Sequence, residues 1–198
     1  MSVMTDIVLF HSVLGVRAGV INAAETLRSA GHQVHIVDQY YGQVFDDYDE
    51  AGEFATAIGF PELMRRAAFA TSLRRPGFVA IGFSNGAGMA QYVASTQPAS
   101  GVVMVAGALP MTLLGVAGWP RGVCAQVHYA TGDPHRNQAW IDELRHEVEA
   151  AAATLSTYDY PCSGHLFTDE SLSGEYDPGA SDLLWDRVLE FCGQSVRV

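Results

Sequence analysis

The chain has 198 residues, 48% of them hydrophobic, which suits one compact domain with a sizeable core and leaves too little for two. Against 22 acidic residues stand 11 basic ones, all arginine, and the formal net charge of −11 argues against nucleic acid or an anionic membrane as partner, because phosphates would be repelled. The absence of lysine removes a P-loop and any Schiff-base mechanism.

The first residues, Met1 to Asp6, lack a basic leader, and the apolar run Ile7 to Phe10 is too short for a signal peptide or a membrane span, so a cytoplasmic protein is expected. Cys124, Cys162 and Cys192 are too scattered for a disulfide framework or a zinc pattern, and are expected as buried or partly buried thiols. No metal and no cofactor is expected. Asp6 to His11 is a short run of β-formers that leads into the turn Ser12-Val13-Leu14-Gly15 and reads as a buried parallel strand. Arg17 to Ala30 places Val20, Ala24 and Leu27 on one helical face, with Gly31 as its terminator. Gln33 to Asp38 is the second strand.

Tyr40 to Pro76 is the one long connection, acidic and aromatic over residues 40–50 and helical in its second half, from Pro61 to Arg75. A connection of this length usually carries function, and the 40–50 run either covers a pocket or makes a homodimer contact. Phe78 to Phe83 is a buried strand that runs into Ser84-Asn85-Gly86-Ala87-Gly88 and then a helix ending before Pro98. Gly101 to Ala106 and Val123 to Ala130 are two more strands, joined by a Gly/Pro-rich segment over 107–122. After Thr131-Gly132-Asp133-Pro134 comes a helix from about Asn137 to Ala152, with Trp140, Leu144 and Val148 on its inner face. Leu155 to Tyr160 is the last strand, residues 161–165 form a loop, and Pro178 to Phe191 is an amphipathic helix. Strands alternate with helices without repeat or linker over 1–198, so the fold class is α/β: a single domain built on an open, mostly parallel sheet of about six strands with helices on both faces.

In such a sheet, functional residues gather at the carboxyl ends of the strands. The polar residues expected there are His11, Ser12, Asp38, Ser84, Asp133 and His165. Gly82-Phe83-Ser84-Asn85-Gly86 between a strand and a helix has the form of a nucleophile elbow, and Ser84, Asp133 and His165 follow one another in the order of a serine triad. Each type answers a need of the chemistry: a serine hydroxyl needs a base, an imidazole has a pKa near working pH, and a carboxylate fixes the imidazole tautomer. Asp142, Asp159 and Asp169 are rivals for the acid, and His11, His128 and His135 for the base. The backbone N–H groups of Asn85 and Val13 are the expected oxyanion donors. His11 and Ser12 either line this corner or merely end the strand.

Taken together, Val8-Leu9-Phe10-His11-Ser12-Val13-Leu14-Gly15, Val37-Asp38-Gln39-Tyr40-Tyr41-Gly42, Gly82-Phe83-Ser84-Asn85-Gly86-Ala87, Tyr129-Ala130-Thr131-Gly132-Asp133 and Tyr160-Pro161-Cys162-Ser163-Gly164-His165-Leu166-Phe167 resemble the dienelactone hydrolase family of α/β-hydrolases over nearly the whole chain. The intervals between Ser84, Asp133 and His165 are close to that family's. The resemblance implies an α/β-hydrolase fold and cleavage of a small ester, lactone or thioester through an acyl-enzyme. Founding members of the family use a cysteine nucleophile with a glutamate in the oxyanion-side loop, whereas Ser84 and Ser12 stand at the matching positions here. The family's carboxylate-binding arginine, four residues past the histidine, is Asp169, which would repel a carboxylated dienelactone. Arg17, Arg65 and Arg66 remain as anion contacts or as surface arginines.

Two other readings stand beside this one. A carboxylesterase resembling acyl-protein thioesterases shares the Gly-Phe-Ser-x-Gly segment, and a non-catalytic ligand-binding member would have its site blocked by Tyr40, Tyr41, Phe45 or another bulky residue of the long connection. A phosphate cradle at Gly82 to Gly88 is disfavoured by the missing lysine, the acidic chain and the lack of Gly-x-Gly-x-x-Gly spacing.

Overall fold

The computed structural model describes residues 4–194; residues 1–3, part of the stretch read above as lacking a leader, lie outside them. Among the described residues six strands form: β1 (Asp6–Phe10), β2 (Gln33–Val37), β3 (Phe78–Phe83), β4 (Ala99–Val105), β5 (Cys124–Ala130) and β6 (Leu155–Tyr160). All pair in parallel in the order β2-β1-β3-β4-β5-β6. The connections carry helices α1 (Ala18–Ser29), α2 (Tyr48–Ile58), α3 (Phe60–Thr71), α4 (Asn85–Thr96) and α5 (Gln138–Ala150), and α6 (Pro178–Gln194) follows β6.

The period of two along a strand sends alternate side chains to opposite faces. Val8 and Phe10 of β1 enter a core completed by Leu63 of α3, Met89 and Val93 of α4, and Ile141 and Leu144 of α5. Ile7 and Leu9 enter the other, completed by Val20 and Leu27 of α1 and Leu184 and Val188 of α6. Because both faces are covered, the central strands read as continuous apolar runs rather than alternating ones.

Three expectations need correction. The acidic run over 46–50 starts a helix instead of a loop: Asp47 caps α2 by accepting from the Asp49 and Glu50 N–H groups at 2.9 Å each. Asp49 and Glu50 then lie in the first turn, where the helix dipole favours acids. On α5 the inner residue is Ile141, fully buried, while Trp140 is 37% exposed. Cys124 is exposed, unlike half-buried Cys162 and buried Cys192. No helix among the described residues is long and apolar enough to cross a membrane.

The chain enters the sheet at β1, steps to β2 on one side and then to β3 on the other, so the strand order reverses between β1 and β3. A crevice outside the carboxyl ends of these two strands follows from that reversal. The loop after β1 carries Val13, and the bend after β3 carries Ser84.

Candidate active site

Ser84 stands between the last residue of β3 and the first of α4, with φ 53° and ψ −118°. For a residue with a Cβ this left-handed backbone is strained by about 1–3 kcal/mol, and it persists because the surroundings over-determine it. A Cβ on Gly82 would collide with the Gly86 carbonyl, and one on Gly86 with the carbonyls of Phe10 and His11. The two glycines therefore let α4 start directly over β3 and against the end of β1. The Ser84 N–H donates to the Val105 carbonyl at 2.8 Å, which ties the bend to β4.

His165 and Asp133 converge on that bend. The Ser84 hydroxyl donates to His165 Nε2 at 2.7 Å, and His165 Nδ1–H donates to Asp133 Oδ2 at 2.8 Å. A carboxylate facing Nδ1 fixes the tautomer that leaves Nε2 free to accept. Asp133 sits just past β5 and its second oxygen accepts from the His135 N–H at 2.8 Å. Both Asp133 and His165 are buried at 6% exposure, so the ion pair that would form when the imidazole takes a proton is shielded from water. Such a chain can draw a proton from the serine as its oxygen attacks, and return it to a departing group.

The rivals are engaged elsewhere. Asp142 accepts from Gln138, Asp159 from Arg136, and His128 lies buried with its ring against Tyr158 and Tyr160, its Nδ1 2.8 Å from the Tyr160 hydroxyl. Burial holds the His128 imidazole down to about 3. His11 bonds the Ser12 carbonyl through Nδ1 at 2.6 Å and accepts from the Gln39 N–H through Nε2, which makes it a neutral tie between β1 and β2. Burial lowers its pKa as well. The Ser12 hydroxyl accepts from the Leu14 N–H within the turn. Burial, with Asp177 nearby, raises the Cys162 thiol and keeps it protonated.

Neither the Val13 nor the Asn85 backbone N–H has a hydrogen-bond partner among the described residues; Asn85 is the first residue of α4, where amides point outward unpaired. Both residues line one groove beside the serine. Two unpaired amides lining a groove that Asn85 joins to the serine's cleft could serve an oxyanion.

Ser84 and His165 open onto a cleft of about 290 Å³ whose other walls include Phe60, Leu109, Tyr129, His135 and Trp140. Apart from His135, His165 and Tyr129, none of the residues lining it carries a titratable side chain. Arg17 is held by the Phe45 carbonyl, Asp46 and Asp169, and Arg65 and Arg66 by Glu62; none of the three lines the cleft. Asp169 also lies outside it, accepting from the Gly19 N–H at the start of α1. Of the bulky residues of the long connection weighed as blockers, Tyr40, Tyr41 and Phe45 do not line it, whereas Phe60 does, as one wall of a cleft that stays open.

Two residues that tie down the loop carrying His165 were missed from sequence. The Glu175 carboxylate accepts from the Leu166 N–H at 2.6 Å and from the Tyr48 hydroxyl at 2.9 Å, and so clamps the loop that carries His165. The Tyr48 ring meets His165 edge-on with centroids 6.1 Å apart. Burial and the Glu175 hydrogen bond push the Tyr48 phenol far above its ordinary range, so it stays a neutral donor. His135, weighed from sequence as a rival base, packs edge-on against His165 at 4.7 Å.

An open six-stranded parallel sheet, with a strained serine at the strand-to-helix bend beside its reversal point, defines an α/β-hydrolase fold. Comparison with known proteins places it further: the model of the dienelactone hydrolase family matches residues 3–196, and the chain belongs to that family of hydrolases. Among solved structures it is similar to a dienelactone hydrolase-like promiscuous phosphotriesterase from metagenomic libraries, with TM-score 0.81 at 19% identity over 98% of this chain and 87% of that one. A dienelactone hydrolase from Anabaena variabilis superposes with TM-score 0.65 at 17% identity, covering 94% and 84%. A carboxylesterase from Bacillus cereus gives 0.59 at 18%, covering 98% and 90%. At these identities the likeness speaks for the fold alone. No curated protein matches in sequence.

Proposed function

We propose that this hydrolase cleaves a small uncharged carboxylic ester, lactone or thioester, with Ser84 as nucleophile, His165 as general base and then acid, and Asp133 orienting it. The observation that carries this reading is the unbroken chain from Ser84 Oγ through His165 to Asp133 at 2.7 and 2.8 Å, on a serine whose backbone is strained. Ser84 Oγ attacks the carbonyl carbon as its proton passes to His165 Nε2, and the amides of Val13 and Asn85 hold the oxyanion. The proton then goes to the leaving oxygen or sulfur, and water repeats the sequence on the acyl-enzyme.

A neutral substrate follows from the cleft. Burying a carboxylate there would need a cation to offset its desolvation, and Arg17, Arg65 and Arg66, the arginines weighed as anion contacts, are already paired with Asp46, Asp169 and Glu62. The acidic chain adds long-range repulsion of anions.

The test is hydrolysis of a short p-nitrophenyl ester. Ser84→Ala should lose about 10⁴-fold or more in kcat, in line with removal of a triad member. Full activity in that variant would overturn the reading.

A further inference from the structure

A second depression meets the cleft at Phe60 and at Asn85, the residue after Ser84, and His165 does not line it. It is a groove of about 440 Å³ lined by Gly52 and Ala55 of α2, Phe60 and Leu63 of α3, and, on the side of the serine, Val13 and Asn85. None of the residues lining it is ionisable. Phe60 and Asn85 belong to both this groove and the 290 Å³ cleft, so the two lobes meet at the first turn of α4.

The directions of the chemistry assign each lobe a part of the substrate. His165 must hand its proton to the leaving oxygen, so the leaving group lies in the lobe that contains His165, with His135 and Trp140 around it. The carbonyl oxygen turns toward the Val13 and Asn85 amides, and the remaining substituent of the carbonyl carbon faces the groove. Resting on the serine-hydrolase reading above, the geometry points to the groove between α2 and α3 as the acyl subsite, and to a small neutral ester whose acyl part is an apolar chain of a few carbons as the substrate class. The bond from Ser84 Oγ to the carbonyl carbon forms, the bond to the leaving oxygen breaks, and that oxygen takes the proton from His165. The acyl group stays on Ser84 with its chain against Gly52, Ala55 and Leu63 until water, losing a proton to His165, adds to the carbonyl carbon and the bond to Ser84 Oγ breaks, Oγ taking that proton from His165 as the acid leaves. Its carboxylate meets no cation in either lobe, which favours departure.

Gly52 offers the sharpest test, because a Cβ there meets nothing within 4 Å and the helix loses no contact when a side chain is added. The measurement is kcat/KM for p-nitrophenyl acetate, butyrate and hexanoate with the wild-type protein and with Gly52→Trp. Wild type should gain about two- to fourfold per added methylene, as expected for partial to full burial of each CH₂. In Gly52→Trp the hexanoate-to-acetate ratio should fall close to one, and in Gly52→Leu, the milder variant, to an intermediate value. A flat chain-length profile in wild type overturns the acyl subsite. So does a Gly52→Trp protein that keeps the wild-type ratio while circular dichroism shows it folded. Wild type that cleaves none of the three esters overturns the serine-hydrolase reading itself and the subsite with it, an outcome distinct from both.

Discussion

Ser84 and His165 come within 2.7 Å of each other, and a glycine packs against backbone beside each, Gly86 by the serine and Gly164 by the histidine, but the histidine's loop is tied by side-chain hydrogen bonds as well. Backbone sterics hold the serine: Gly82 and Gly86 allow a contact that no side chain could survive, and the bend is locked between β1, β3 and β4. Side-chain hydrogen bonds hold the histidine, through Asp133 on its ring and Glu175 on the next residue's amide, with Tyr48 behind Glu175. The serine half should therefore fail by losing the fold, and the histidine half by losing geometry in a folded protein.

Gly82→Ala should break the first half outright. Its methyl group meets the Gly86 backbone, which cannot move without shifting α4, so a cost of more than about 3 kcal/mol is expected in urea unfolding. Glu175→Ala should leave a folded protein with kcat for a p-nitrophenyl ester down by about 10- to 100-fold and KM little changed, because the loop carrying His165 loses its anchor. Tyr48→Phe keeps the carboxylate and its bond to Leu166, so it should lower stability by about 1–2 kcal/mol and kcat by much less than Glu175→Ala. Equal effects of the two substitutions would mean that Tyr48, not the carboxylate, positions His165.

The last effect concerns stability against pH and lies away from both halves. Buried His128 titrates at about 3, below its ordinary value near 6.5. It is neutral in the folded chain, while the unfolded chain takes up a proton below about 6.5, so stability present above that pH is lost as pH falls toward 3. His11 acts in the same direction. Chemical denaturation between pH 7 and 4 should show this slope, and His128→Asn should flatten it; an unchanged slope would assign the acid sensitivity to other groups.

The same contrast explains what could be read from the sequence. Gly-x-Ser-x-Gly is a local pattern whose meaning depends on the residues beside it, and Asp133 and His165 are findable because strand ends are findable. The clamp is not: Tyr48 and Glu175 are 127 residues apart, and nothing in either neighbourhood announces the other. Tyr48 is hidden further because the run Asp46-Asp47-Tyr48-Asp49-Glu50 has the composition of a loop but acts as a cap followed by a first turn. On α5, both Trp140-Leu144-Val148 and Ile141-Leu144-Val148 fit helical spacing, and only packing decides that Ile141 turns inward and Trp140 toward the cleft. The six strands, by contrast, were legible to within two residues: the central ones because burial on both faces leaves little but β-branched and apolar residues in them, and edge strands β2 and β6 because β-formers such as Val34, Ile36, Thr157 and Tyr158 stand among their polar residues.

Labelling with a fluorophosphonate, followed by peptide mapping, tests the central claim most directly, because the reagent reports an activated serine without assuming a substrate. One adduct on the peptide carrying Ser84 is expected, absent in Ser84→Ala and formed far more slowly in His165→Ala. An adduct on another serine, or an intact protein that takes no label, would contradict the account.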